Sequence, residues 1–146
     1  MVAYRNSIVI SAPRDRVFEY VNEPRTLPDW MIGIDEIRNI RGSGEGQQYE
    51  WTFKMAGVSL RGQSVVVDYV EGVRACHQGI GMIHGLWTHL CEETAEGTQV
   101  TVDVEYKLPF FVLGRLAESA TVRRNDRDIK KSLKRLKQIV ERMHSG

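Results

Sequence analysis

The stretch Arg124–His144, RNDRDIKKSLKRLKQIVERMH, decides how this chain is read. Its apolar residues Ile129, Leu133, Leu136, Val140 and Met143 recur at spacings of four and three, one stripe of an α-helix. Neither Pro nor Gly interrupts the run between Arg115 and Ser145, and Leu, Arg, Lys and Glu are good helix formers. One long helix is therefore predicted over Pro109 to His144. At roughly 30 Å for about twenty residues, it must lie against something equally long. The middle of the chain offers only strands, so the expected architecture is a sheet wrapped on one helix with space between them. Leu113, Leu116, Ala117 and Ala120 fall on nearly the opposite side of the stripe. Either the helix bends or restarts near Gly114, or its first half is covered on two sides. Glu118, Asn125 and Asp126 share the inward side, where polar groups suit a solvated opening or a cavity better than a core.

Working outward, Gln47 to Met55 (QQYEWTFKM) is the cleanest strand. Gln47, Tyr49, Trp51, Phe53 and Met55 point one way, and Gln48, Glu50, Thr52 and Lys54 the other. One buried and one wet face mark an antiparallel sheet covered on one side. Similar alternation predicts strands over Ala3 to Ile10, Ile34 to Arg41, Val58 to Val70, Arg74 to Ile80, Gly85 to Thr94 and Val100 to Leu108. The turns fall at Gly42–Gly46, Ala56-Gly57, Glu71-Gly72 and Glu96-Gly97. After the first strand, Ser11 and Pro13 read as a helix start, with Val17, Phe18 and Val21 as its apolar stripe. Pro24 and Pro28 then set off a second short helical turn. The fold class is α+β: seven antiparallel strands, two short helices after the first, and one long C-terminal helix.

At 146 residues the chain reads as one domain, 1–146. With 42% hydrophobic and 27% charged residues and a net charge of +1, it has the composition of an ordinary soluble protein. The charge is unevenly placed: Arg115 to Arg142 carries ten Lys or Arg against four Asp or Glu. Two cysteines make no disulfide framework. With no signal-peptide core and no membrane-length apolar run, a cytoplasmic setting is expected.

The residues that share the covered face are bulky: Tyr49, Trp51, Phe53, Trp87 and Tyr106, with Trp30, Phe110 and Phe111 near the ends. Large side chains on a strongly curved sheet either fill the concavity or line it. Ligand pockets measure about 300–1,000 Å³ and are mostly apolar, with few polar groups. Aromatic walls with Tyr49, Tyr106, His89, Gln63 and Arg61 as polar contacts fit that description, and Ala117 and Ala120 complete the candidate lining. His77 and His89 face each other if the hairpin turns near Ile83, with Cys76 and Cys91 nearby. Neighbouring positions on one strand point to opposite faces, however, and no paired-ligand spacing occurs, so no metal site is expected. His89, in phase with Trp87, is the better candidate for proton exchange near neutral pH.

The run Ala12-Pro13, Val17-Phe18, Asn22, Leu27-Pro28-Asp29-Trp30 and Gly33-Ile34 resembles the opening of the START-like, SRPBCC superfamily. The likeness continues through Gly97-Thr98, Leu108-Pro109, Gly114-Arg115, Leu133 and Leu136, over essentially the whole chain. It is strongest to the branch labelled polyketide cyclase/dehydrase and lipid transport. That resemblance implies a helix-grip fold with an internal hydrophobic cavity, for lipids, sterols, quinones, hormones or polyketides. A minority of such proteins catalyse cyclisation or aromatisation. Two departures stand out: Asn22 replaces a commonly acidic residue, and a proline expected near Glu71-Gly72 is missing.

The leading expectation is a non-enzymatic carrier for a hydrophobic small molecule, without a cofactor. The rival is an aromatase/cyclase using His89, Arg61, Tyr49 and Tyr106, which would position a folded substrate and steady an enolate. A third reading is a protein-interaction module. It would work through the basic face Arg123, Arg124, Arg127, Lys130, Lys131, Lys134, Arg135 and Lys137, which also suits transient contact with an anionic membrane. Nucleic acid is not expected, because no aromatics interleave the cations. The oligomeric state is left open.

Overall fold

The computed structural model describes residues 2–55, 57–109 and 118–145. Alternating patterning folds into β1 (Val2–Ile10), β2 (Ile34–Arg41), β3 (Gln48–Met55), β4 (Val58–Val70), β5 (Arg74–Gly81), β6 (His84–Thr94) and β7 (Gly97–Lys107). Between β1 and β2 lie α1 (Arg14–Val21), a 3-10 turn (Pro24–Thr26) and α2 (Leu27–Trp30). The long helix α3 runs from Glu118 to Ser145. The strands form one antiparallel sheet in the order β1-β7-β6-β5-β4-β3-β2. Strands β2 to β6 each pair with their successor in the chain, and β1 closes onto β7. This is the expected α+β, helix-grip arrangement. No helix among the described residues is long and apolar enough to cross a membrane.

Helix α3 packs chiefly along β1, with smaller contacts to α1 and α2. Ile129, Leu133, Leu136 and Val140 are buried, as their spacing predicts. Polar ties fix the register of helix on strand. Asn6 Nδ2 donates to Asp126 Oδ1 at 2.7 Å. Lys137 Nζ donates to the Val9 carbonyl at 2.9 Å, and the Ser11 amide donates to Glu141 Oε2 at 2.8 Å. Lys137 is therefore not part of the free basic face; the other seven cations of that run are exposed.

Two expectations need correction. Met143 is 61% exposed rather than part of the buried stripe. Glu141 already reaches the residue beyond the end of β1, so the last turn of α3 overhangs the strand. Ser11 does not cap α1: Pro13 holds the cap position and no side chain caps the helix. Of the two settings expected for Asn125, a solvated opening or a cavity, it takes the second: it is buried, lines a small void and donates from Nδ2 to the Tyr106 hydroxyl. The predicted change of face near Gly114, with Phe110, Phe111, Leu113, Leu116 and Ala117, lies outside the described residues. So do the side chains of Glu118, Ala120 and Val122.

Leu136→Ala removes a fully buried side chain and is expected to cost about 2–5 kcal/mol. Met143→Ala is expected to stay within about 0.5 kcal/mol. Urea unfolding of the two variants checks where the packed stripe ends, and equal losses would contradict it.

Candidate functional site

Three glycines explain how so many large rings fit on one face. A side chain at Gly62 would collide with the Trp51 indole, which lies across it from the neighbouring strand. Gly79 gives the same room to Trp87, its Cβ position lying 2.7 Å from the indole, and Gly33 seats Phe53. A glycine inside a strand commonly marks such a close approach. This signal was present in the sequence, opposite the tryptophans, and went unused.

The rings surround a partly open cavity of about 40 Å³ lined by Leu27, Met31, Ile34, Tyr49, Trp51, Phe53, Ser64, His77, Ile83, Trp87 and His89. It has room for a few water molecules only. A second void of about 20 Å³ lies on the other side of Met31, Phe53 and Trp87, and reaches Tyr4, Asn125 and Ile129. Even together the two voids are roughly a fifth of the smallest typical ligand pocket of about 300 Å³. The aromatics fill the concavity more than they line it.

Polar groups at the cavity form one hydrogen-bonded chain centred on Asn22, the residue that ends α1. Asn22 Nδ2 donates to the Phe18 carbonyl at 3.1 Å, which aims Oδ1 inward. That oxygen lies 3.0 Å from His77 Nε2 and 3.0 Å from His89 Nδ1. A carbonyl oxygen only accepts, so both nitrogens carry protons. His77 Nδ1 is then a bare acceptor, and the Tyr49 hydroxyl donates a hydrogen bond to it at 2.8 Å. Beside this chain, Ser64 Oγ accepts the Trp51 indole N–H at 3.0 Å. The two imidazoles lie 4.8 Å apart, centroid to centroid. His89 Nε2 is buried with no partner among the described residues.

A match over residues 1–141 to the model of a family described as polyketide cyclase / dehydrase and lipid transport covers almost the whole chain. The chain belongs to that family. Solved structures share its fold at low identity. A protein from Thermus thermophilus is 19% identical with a TM-score of 0.76, covering 94% of this chain and 96% of its own. One from Deinococcus radiodurans is 15% identical with a TM-score of 0.75, covering 97% and 98%. The Zhui aromatase/cyclase from a Streptomyces species is 15% identical with a TM-score of 0.68, covering 98% and 93%. No curated protein matches by sequence.

Within this member of the polyketide cyclase / dehydrase and lipid transport family the sequence-predicted residues separate into four groups. Tyr49, Trp51, Phe53, Trp87 and His89 meet at the cavity. Tyr106 is stacked on Trp87, with centroids 5.7 Å apart, but its hydroxyl is held by Asn125 in the second void rather than the first. Trp30 is fully buried behind His89, edge-on at 5.9 Å, and is a packing anchor rather than a lip. Arg61 and Gln63 are exposed, because their positions on β4 face away from the covered side. Phe110 and Ala117, and the Ala120 side chain, lie outside the described residues. Cys76 and Cys91 are buried free thiols, and burial pushes Cys91 up to about 12. His77 and Asn22 are the residues the sequence reading passed over.

Burial lowers His77 to about 4, and burial, then the neighbouring His77 ring, holds His89 well below the ordinary histidine range. Both are neutral at physiological pH. The unfolded chain binds these protons from about pH 6.5 downward. Stability is therefore complete above about pH 6.5 and is lost as pH falls towards 4, by about 3 kcal/mol from His77 alone. Asn22→Asp places a carboxylate against both rings and favours their charged forms. At least one of the two is then expected to titrate at about pH 6.5 or above in NMR, with a shallower acid loss of stability. Two histidines still neutral at about pH 5 in that variant would contradict the arrangement.

Proposed function

We propose that this domain binds a small, largely apolar, ring-containing molecule between its sheet and α3, and holds it without converting it. The observation that carries this reading is a cavity walled by Trp51, Phe53, Trp87, Ile83 and Met31. Its histidines are neutral, His77 bonded to Tyr49 and Asn22 and His89 to Asn22 through Nδ1 alone. Burial of the ligand's apolar surface, at about 25 cal/mol per Å², supplies the affinity. Occupation requires Met31, Phe53 and Trp87 to part, which merges the two voids they separate. The exposed cations of α3 support release or loading at an anionic membrane.

A cyclase reading draws support from the fold shared with the Zhui aromatase/cyclase and from the bare ring nitrogen of His89. It is weakened by that ring's low basicity, since a general base works best with a pKa near the operating pH. Arg61, proposed to steady an enolate, is on the far face.

Native mass spectrometry of the protein purified from its own cells is expected to show a co-purifying apolar molecule. Stripped protein is expected to take it up again. A protein that carries nothing and takes up nothing from a total lipid and metabolite extract overturns the reading. Consumption of the molecule, abolished by His89→Gln with binding kept, establishes the cyclase instead.

A further inference from the structure

Of the four imidazole nitrogens around Asn22, three have hydrogen-bond partners and one, His89 Nε2, has none among the described residues. Asn22 Oδ1 accepts two N–H bonds, Tyr49 donates to His77, and Ser64 accepts from Trp51. What remains is the lone pair of His89 Nε2, on a ring that is 1% exposed and lines the cavity. An unmet buried acceptor costs about 1–3 kcal/mol, which a bound donor recovers. No Lys or Arg is among the residues lining the cavity, so nothing there offsets a negative charge.

We infer that His89 Nε2 accepts a hydrogen bond from a hydroxyl or N–H group on the bound molecule, so that the cavity selects neutral, donor-bearing rings such as phenols over carboxylates of equal size. The inference rests on the binding reading above and gives its ligand a chemical class. Fixing the tautomer is what makes the selection possible. Were His89 protonated at Nε2 instead, the same position would be a donor and would favour carbonyls and carboxylates. Asn22 rules that out by taking the Nδ1 proton, and the amide is itself oriented by the Phe18 carbonyl. A carboxylate at Nε2 would meet a lone pair with a lone pair. Relieving that clash requires protonating a ring that its burial and the adjacent His77 keep neutral.

Phenol, toluene and benzoate share one ring and differ only in the group presented, and NMR titration at about pH 7 measures each. Phenol is expected to bind about tenfold more tightly than toluene, and benzoate more weakly than either. In His89→Leu the preference for phenol over toluene is expected to vanish while toluene still binds. The 15N spectrum of the unaltered protein gives a readout that needs no variant. The His89 Nε2 signal is expected at the position of a bare ring nitrogen, moving on addition of phenol and not of toluene. Phenol and toluene bound equally, with that signal unmoved, overturn the inference and leave the binding reading standing. Benzoate bound as tightly as phenol also overturns it. Failure of all three to bind overturns the binding reading itself.

Discussion

One helix cannot cover seven strands. At about 4.8 Å between neighbours the sheet is roughly 29 Å wide, whereas a helix with its side chains is about 10 Å across. Helix α3 lies along β1, at one edge, and its polar ties to Asn6, Val9 and Ser11 hold it there. The rest of the apolar face must be closed by other means. Helix α1 covers part of β6 and β7, and α2 covers part of β2. The remainder is closed by the sheet's own side chains, which is why Trp51, Phe53, Trp87 and Tyr106 are so large and why glycines sit beneath three of them.

That division of labour also places the polar hub. The end of α1 brings Asn22 down between β5 and β6, where His77 and His89 come within 4.8 Å of each other. Two buried imidazoles this close repel when charged, and burial opposes charging either. An amide resolves the conflict, because its oxygen takes two N–H bonds without supplying a counter-charge. A carboxylate at the same position would hold a charged ring instead. An amide rather than a carboxylate at position 22 thus leaves burial to keep both rings neutral.

The fold was legible because periodicity is a local property. Each strand announces itself within a few residues, and the buried positions of α3 follow from spacing alone. The site was legible only in part. Strand parity put Tyr49, Trp51, Phe53, Trp87 and His89 on one face, yet it could not show that Arg61 faces away, since a glycine and a turn precede it. His77 was discounted because its neighbour Cys76 points elsewhere, whereas both are buried. The register shift in β4 between Val66 and Asp68, opposite this part of β5, is invisible to a count of alternating residues. Asn22 lies 55 residues from His77 and 67 from His89, a separation no local pattern spans. Cavity size was misjudged for a related reason: composition gives the bulk of the rings, and only packing tells whether they interdigitate.

In the proposed reading, the chemistry of His89 favours holding a molecule over transforming it. A base matched to neutral pH gains most from proton transfer, and each unit of lowered pKa takes about 1.4 kcal/mol from its proton affinity. Burial and the His77 ring have lowered this one well below the ordinary range, with Asn22 rather than a carboxylate at its back. The same changes leave its role as a hydrogen-bond acceptor intact, because accepting a shared proton needs a lone pair but not full protonation. In the proposed reading, a neutral acceptor in an apolar, cation-free recess orients a donor-bearing ring through one hydrogen bond, worth about 1–3 kcal/mol, and forms no ion pair with it. That combination suits reversible binding, and it follows from a single oxygen atom at the end of a short helix.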